Sequence, residues 1–150
     1  MPDELLRPTI GAYVDMSVRP WRLMSQTYVA FFGGVIAVTV IAFLNARRLG
    51  VAPDKRRLIL VVGAVSLVVA GVVITLLTNG DGATSSGLRV AIRVVAVACC
   101  LIQLRIQRPM DRAFQLRGTD YGSLWGPGIA AVIGAGLLEA GLLAVVAVAL

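Results

Sequence analysis

Four long apolar runs constrain this chain more than any other feature of its sequence. Each has roughly the 20 residues that an α-helix needs to cross the hydrocarbon core of a bilayer, and they cover about 26–46, 58–78, 88–106 and 126–150. The chain is 58% apolar and only 15% charged, whereas a soluble domain is nearer half apolar and a quarter charged. The sequence therefore predicts an all-α integral membrane protein with four transmembrane helices.

The first 25 residues are too polar and too rich in proline to form a span. They are predicted to be a polar segment at the membrane interface, and residues 26–150 to be the transmembrane domain. Trp21 lies between two arginines, and Trp125 directly precedes the last apolar run. Because Trp favours the headgroup level of a bilayer, both residues are predicted to be interface anchors.

The distribution of positive charge predicts an orientation. Four spans place two basic loops, 47–57 and 105–117, on one face, with nine of the 14 Lys and Arg residues: Arg47, Arg48, Lys55, Arg56, Arg57, Arg105, Arg108, Arg112 and Arg117. The opposite face would hold four: Arg7, Arg19, Arg22 and Arg89. The positive-inside rule then predicts a cell-membrane protein with both loops cytoplasmic, next to anionic headgroups, and both termini outside. Charges placed in this way also argue against a nucleic-acid partner.

The two basic loops resemble each other in a way that is compatible with an internal repeat. Pro53-Asp54-Lys55-Arg56 in the first loop is echoed by Pro109-Met110-Asp111-Arg112 in the second, 56 residues later. A duplicated helical hairpin would produce this spacing. The alternative is that short cytoplasmic loops commonly contain these residue types.

Glu139 is the candidate functional residue, because it lies near the middle of the last apolar run. A charge at that depth costs about 2.5–3.5 kcal/mol even on insertion-based scales. Three hypotheses follow: a protonated carboxyl that hydrogen-bonds to a neighbouring helix, an ion pair with Arg93, or a site that binds a proton or cation during transport. Contact with a separate partner protein is a fourth. Arg93, one turn after Arg89, would otherwise extend towards the outer surface.

Small residues in the last run predict close helix packing. Gly136 and Ala140 are four residues apart, as are Ala130 and Gly134, a spacing that lets helix backbones approach. This packing could occur within the chain, in a homo-oligomer or against a membrane protein partner.

No motif in the sequence indicates an enzyme, a cofactor or a metal site. The chain has no His, and the adjacent Cys99 and Cys100 are predicted to be buried apolar side chains, since neighbours on a helix point about 100° apart. The predicted function is therefore that of an accessory or scaffolding membrane component. The alternative is a proton-coupled transporter or channel that acts as an oligomer through Glu139.

Overall fold

A computed structural model describes residues 18–78, 85–118 and 120–149 of the chain. The described residues form four helices and no strand: α1 (Ser25–Arg48), α2 (Pro53–Thr78), α3 (Ser85–Gln115) and α4 (Trp125–Ala149). All four are long and apolar enough to cross a membrane, judged by length and composition. The all-helical prediction is confirmed, while most of the predicted segment 1–25 lies outside the described residues.

Both basic loops are shorter than the sequence predicted. Arg47 and Arg48 complete α1 and Pro53 begins α2, so only residues 49–52 lie between these helices. Most of the predicted loop 105–117 is instead the last part of α3, which continues past Pro109 to Gln115. Hydropathy measures the apolar part of a helix only, and Arg, Gln and Met are good helix formers that prolong α3 beyond it.

The first helix does not run straight. Gly34 interrupts it with φ 83° and ψ −166° and divides it into a first segment, 25–33, and a second segment, 35–48. A straight helix of this length would separate its ends by about 36 Å. Instead, the backbone N–H of Trp21 donates to Asn45 Oδ1 at 2.7 Å, and Leu23 and Leu49 pack in one apolar cluster. The two segments therefore form an antiparallel hairpin with its tip at Gly34.

The hairpin brings the N-terminal segment to the end of the bundle that carries the helix connections. Gly122 donates its N–H to the Pro20 carbonyl at 2.8 Å, and Arg48 donates to the Arg19 carbonyl at 3.1 Å. We call this the basic end, comprising residues 18–24, 47–57, 105–118 and 120–125. The prediction that the tail lies opposite the basic loops is wrong from Val18 onward, because α1 turns back at its middle.

Helix α1 forms the centre of the bundle. It packs against α2, α3 and α4, whereas α3 and α4 do not contact each other within the described residues. A duplicated hairpin would pair α3 with α4 as α1 pairs with α2. In addition, Pro53 begins a helix while Pro109 lies inside one. The fold therefore does not show the predicted repeat.

The fold-back can be measured with spin labels at the exposed residues Met24 and Arg47, in a variant that has Cys99 and Cys100 replaced by Ala. Because the two positions lie at the same end of the hairpin, we expect pulsed electron paramagnetic resonance to give a distance far below that of a straight helix. A distribution centred near about 35 Å would show that α1 is continuous.

Candidate functional site

The Glu139 carboxylate lies at the tip of the α1 hairpin. The residue is only 4% exposed, and its Oε2 accepts a hydrogen bond from the backbone N–H of Ile36 at 2.6 Å. Ile36 is in the first turn of the second segment, where N–H groups have no carbonyl partner within the helix. Glu139 therefore acts as an N-terminal cap supplied by α4, at the end of the second segment where the helix dipole is positive.

Gly34 makes this contact geometrically feasible. Its positive φ lies in a region that residues with a side chain rarely adopt. A Cβ on Gly34 would also lie 2.5 Å from Glu139 Oε1 and 2.7 Å from Cδ. The backbone conformation thus favours glycine at this position, and any Cβ here would also displace the Glu139 carboxyl group from its place beside the turn.

Neighbouring glycines allow α4 to approach the tip. A Cβ on Gly136 would lie 3.3 Å from the Gly33 carbonyl oxygen, and a Cβ on Gly33 would lie 3.0 Å from Val132 Cα. Gly136 therefore contributes to packing within the chain. Gly134 and Gly141 have no neighbouring atoms within 4 Å of the Cβ position, so they take no part in this packing.

Arg93 contacts the other side of the same break. Its Nη1 donates to the Phe32 carbonyl at 3.0 Å, in the last turn of the first segment, where carbonyls have no helical N–H partner. A cation suits this negative helix end as an anion suits the next helix start. The structure thus brings Glu139 and Arg93 to the same break in α1, where each side chain binds a backbone group. The sequence hypothesis of a direct ion pair did not anticipate that this break lies between the two side chains.

A second polar cluster, which the sequence analysis missed, joins the base of the hairpin to α3. Asn45 Nδ2 donates to Gln107 Oε1 at 3.0 Å, while the amides of Gln26 and Gln107 approach within 3.4 Å. All three residues are completely buried. The available signal was that all three amides lie at the ends of apolar runs, since amides that become buried need partners.

The two predicted anchors occupy different environments. Trp125 is 80% exposed, as a ring at a membrane interface would be. Trp21 is 2% exposed, and the guanidinium of Arg48 lies 3.9 Å from its ring centroid. Trp21 therefore packs inside the protein, because the hairpin folds the N-terminal segment against the end of α1.

One acidic residue at the basic end has polar partners nearby. The Tyr121 hydroxyl donates to Asp111 Oδ1 at 2.9 Å, and Gln115 Nε2 donates to Oδ2 at 3.1 Å. Burial raises the pKa of Tyr121, so the phenol keeps the proton that it donates. These bonds hold the connection between α3 and α4 against the end of α3.

Comparisons with known proteins identify no relative: no family model, curated protein or solved structure matches the chain. Across the part of the chain that the structure describes, no group of three or more His, Cys, Asp or Glu side chains could hold a metal ion.

Replacing Gly34 with Ala should destabilise the protein strongly. The backbone conformation alone costs about 1–3 kcal/mol for a residue with a side chain, and the clash with Glu139 adds to it. Gly71→Ala is the matched control, because a Cβ there meets nothing within 4 Å. Thermal unfolding in detergent, followed by circular dichroism, measures both. Equal melting temperatures for the two variants would contradict this account of Gly34.

Two substitutions at Glu139 should separate the stability that comes from its hydrogen bond to Ile36 from the stability that comes from its charge. Gln retains an acceptor oxygen for the Ile36 N–H, whereas Leu leaves that buried group unpaired, at a cost of about 1–3 kcal/mol. We expect Glu139→Leu to unfold at a lower temperature than Glu139→Gln in the same assay. If Leu were tolerated as well as Gln, the hydrogen bond would not stabilise the hairpin.

Proposed function

We propose that this is a multi-pass membrane protein in which α2, α3 and α4 cross the bilayer while α1 inserts from one side as a re-entrant hairpin. Non-helical backbone at membrane depth is tolerated where protein covers it. The break at Gly34 fits this requirement, since the residue is buried and Glu139 and Arg93 bind the backbone on either side of it. Exposed apolar side chains on α2 and α4, such as Val68, Leu76 and Leu137, would face lipid.

The proposed orientation places the basic end in the cytoplasm. Arg19 and Arg22 join the nine basic residues within 47–57 and 105–117, so that eleven of the 14 Lys and Arg residues belong to one end. By the positive-inside rule this end is cytoplasmic. The C-terminal end of α4 would then lie outside, and the chain from Val18 would begin inside.

The proposed role is that of a non-enzymatic accessory or scaffolding component of the cell membrane. The observation that carries it is that both candidate charges are engaged by the protein's own backbone, Glu139 by Ile36 and Arg93 by Phe32. A carboxylate used to cap a helix has a structural explanation that does not require a transported ion. The basic end would provide the contact surface, for anionic headgroups or for an acidic face of a membrane partner.

A transporter or channel is the second candidate, and one observation favours it. Broken helices whose ends meet a buried ionisable group near the bilayer midplane are typical of transporter binding sites. In that case protonation of Glu139 would weaken its hold on Ile36 and loosen the hairpin. The small bundle would then act as an oligomer.

Proton flux into liposomes that contain the purified protein separates the two proposals. Because Gln can still cap the second segment but cannot titrate, Glu139→Gln preserves the scaffold and removes any proton coupling. We expect the wild type and Glu139→Gln to show the same flux as protein-free liposomes, measured with an entrapped pH-sensitive dye. A wild-type flux above this background that disappears in Glu139→Gln would overturn the scaffold proposal and support a carrier.

A further inference from the structure

A groove runs along the surface between the first segment of α1 and the beginning of α4. Its cavity volume is about 790 Å³, within the range of roughly 300–1,000 Å³ that is usual for small-molecule sites. Its walls are mainly apolar and include Tyr28, Val29 and Phe32 on one side and Ile129 and Val132 on the other. The groove therefore has an apolar body that no other part of the described chain fills.

Polar residues line the mouth of the groove. Arg22, Ser25, Tyr121 and Ser123 line this mouth at the basic end. The exposed guanidinium of Arg22 lies over the Tyr121 ring, 5.7 Å from its centroid. A positive charge thus lies at one end of an apolar groove. This arrangement suits a molecule with an anionic head, which would lie at the charge, and a hydrocarbon tail, which would lie in the groove.

The dimensions of the groove fit one leaflet of a membrane. From Ser25 to Phe32 the first segment rises about 10 Å, and half of a typical hydrocarbon core is about 15 Å. At the floor, Gly128 keeps the groove deep: a Cβ there would lie 3.4 Å from Leu124 Cγ and from Val29 Cγ2. The exposed Trp125 ring lies at the mouth, where headgroups would be.

We propose that this groove binds an anionic phospholipid from the leaflet on the basic side, with its phosphate at Arg22 and one acyl chain between α1 and α4. The proposal rests on the membrane placement of the preceding section and assigns a specific ligand to one face of the hairpin. A single cationic contact at a membrane surface contributes about a fivefold preference for anionic lipid. The bound chain would cover the exposed side of the hairpin's first segment.

Fluorescence quenching by brominated acyl chains tests this site, because the exposed Trp125 lines the groove. Trp21 packs against the groove residues Val29 and Leu124, so it is replaced by Phe in every protein compared. The protein is reconstituted with brominated phosphatidylglycerol or brominated phosphatidylcholine at equal mole fraction. We expect the anionic lipid to quench Trp125 more strongly in the wild type. Arg22→Gln should reduce this preference about fivefold, whereas Arg57→Gln, an exposed cation of the basic end outside the groove, should leave it unchanged.

Each other result has a defined meaning. Equal quenching by the two lipids in the wild type would overturn the proposal, and so would an equal loss of preference in Arg57→Gln, which would indicate general surface attraction. As a second variant, Gly128→Val fills the floor and should reduce quenching by the anionic lipid; unchanged quenching in this variant would place the chain elsewhere. If the protein did not insert in the bilayer as proposed, neither lipid would quench Trp125. This result differs from equal quenching by both lipids, so the two failures can be told apart.

Discussion

The hydrogen bond from the Ile36 N–H to the Glu139 carboxylate is the contact on which the rest of the structure depends. A helix broken in apolar surroundings exposes N–H and carbonyl groups that cost several kcal/mol each when they lack partners. Glu139 binds one side of the break and Arg93 the other. A buried carboxyl group and a broken backbone would each be unfavourable alone, and the hydrogen bond gives each a partner. Gly34 permits the turn because it lacks a Cβ.

Folding α1 back on itself determines where the charges and the open surfaces lie. Because both ends of the hairpin are at one end of the bundle, Arg19, Arg22 and Arg48 join the basic ends of α2 and α3. The amides of Gln26, Asn45 and Gln107 close the base of the hairpin. Its first segment packs on α4 at the tip yet leaves a groove nearer the basic end. The single break in α1 thus gives rise both to the basic end and to the groove beside it.

The sequence predicted the four helices well, and it identified Glu139 and Arg93, because charges stand out within apolar runs. It did not predict the fold-back. An apolar run of about 20 residues has the same hydropathy whether it crosses the membrane or turns at its middle, and a glycine pair is tolerated in a transmembrane helix. Only tertiary contacts distinguish a crossing helix from a hairpin. The chain can turn at Gly34 because Glu139, from α4, caps the helical segment that starts after the turn. The burial of Trp21 and the connection of the N-terminal segment to Gly122 follow from this same turn.

Side-specific labelling of the two ends of α1 tests the central claim most directly. Single cysteines at Met24 and Arg47, in a variant that otherwise lacks cysteine, are exposed to a membrane-impermeant maleimide in sealed vesicles of known orientation. The hairpin predicts that both positions react from the same side, and that a cysteine at Ser86, at the start of α3, reacts from the other. Labelling of Met24→Cys and Arg47→Cys from opposite sides would contradict the account, because α1 would then cross the membrane as a continuous helix.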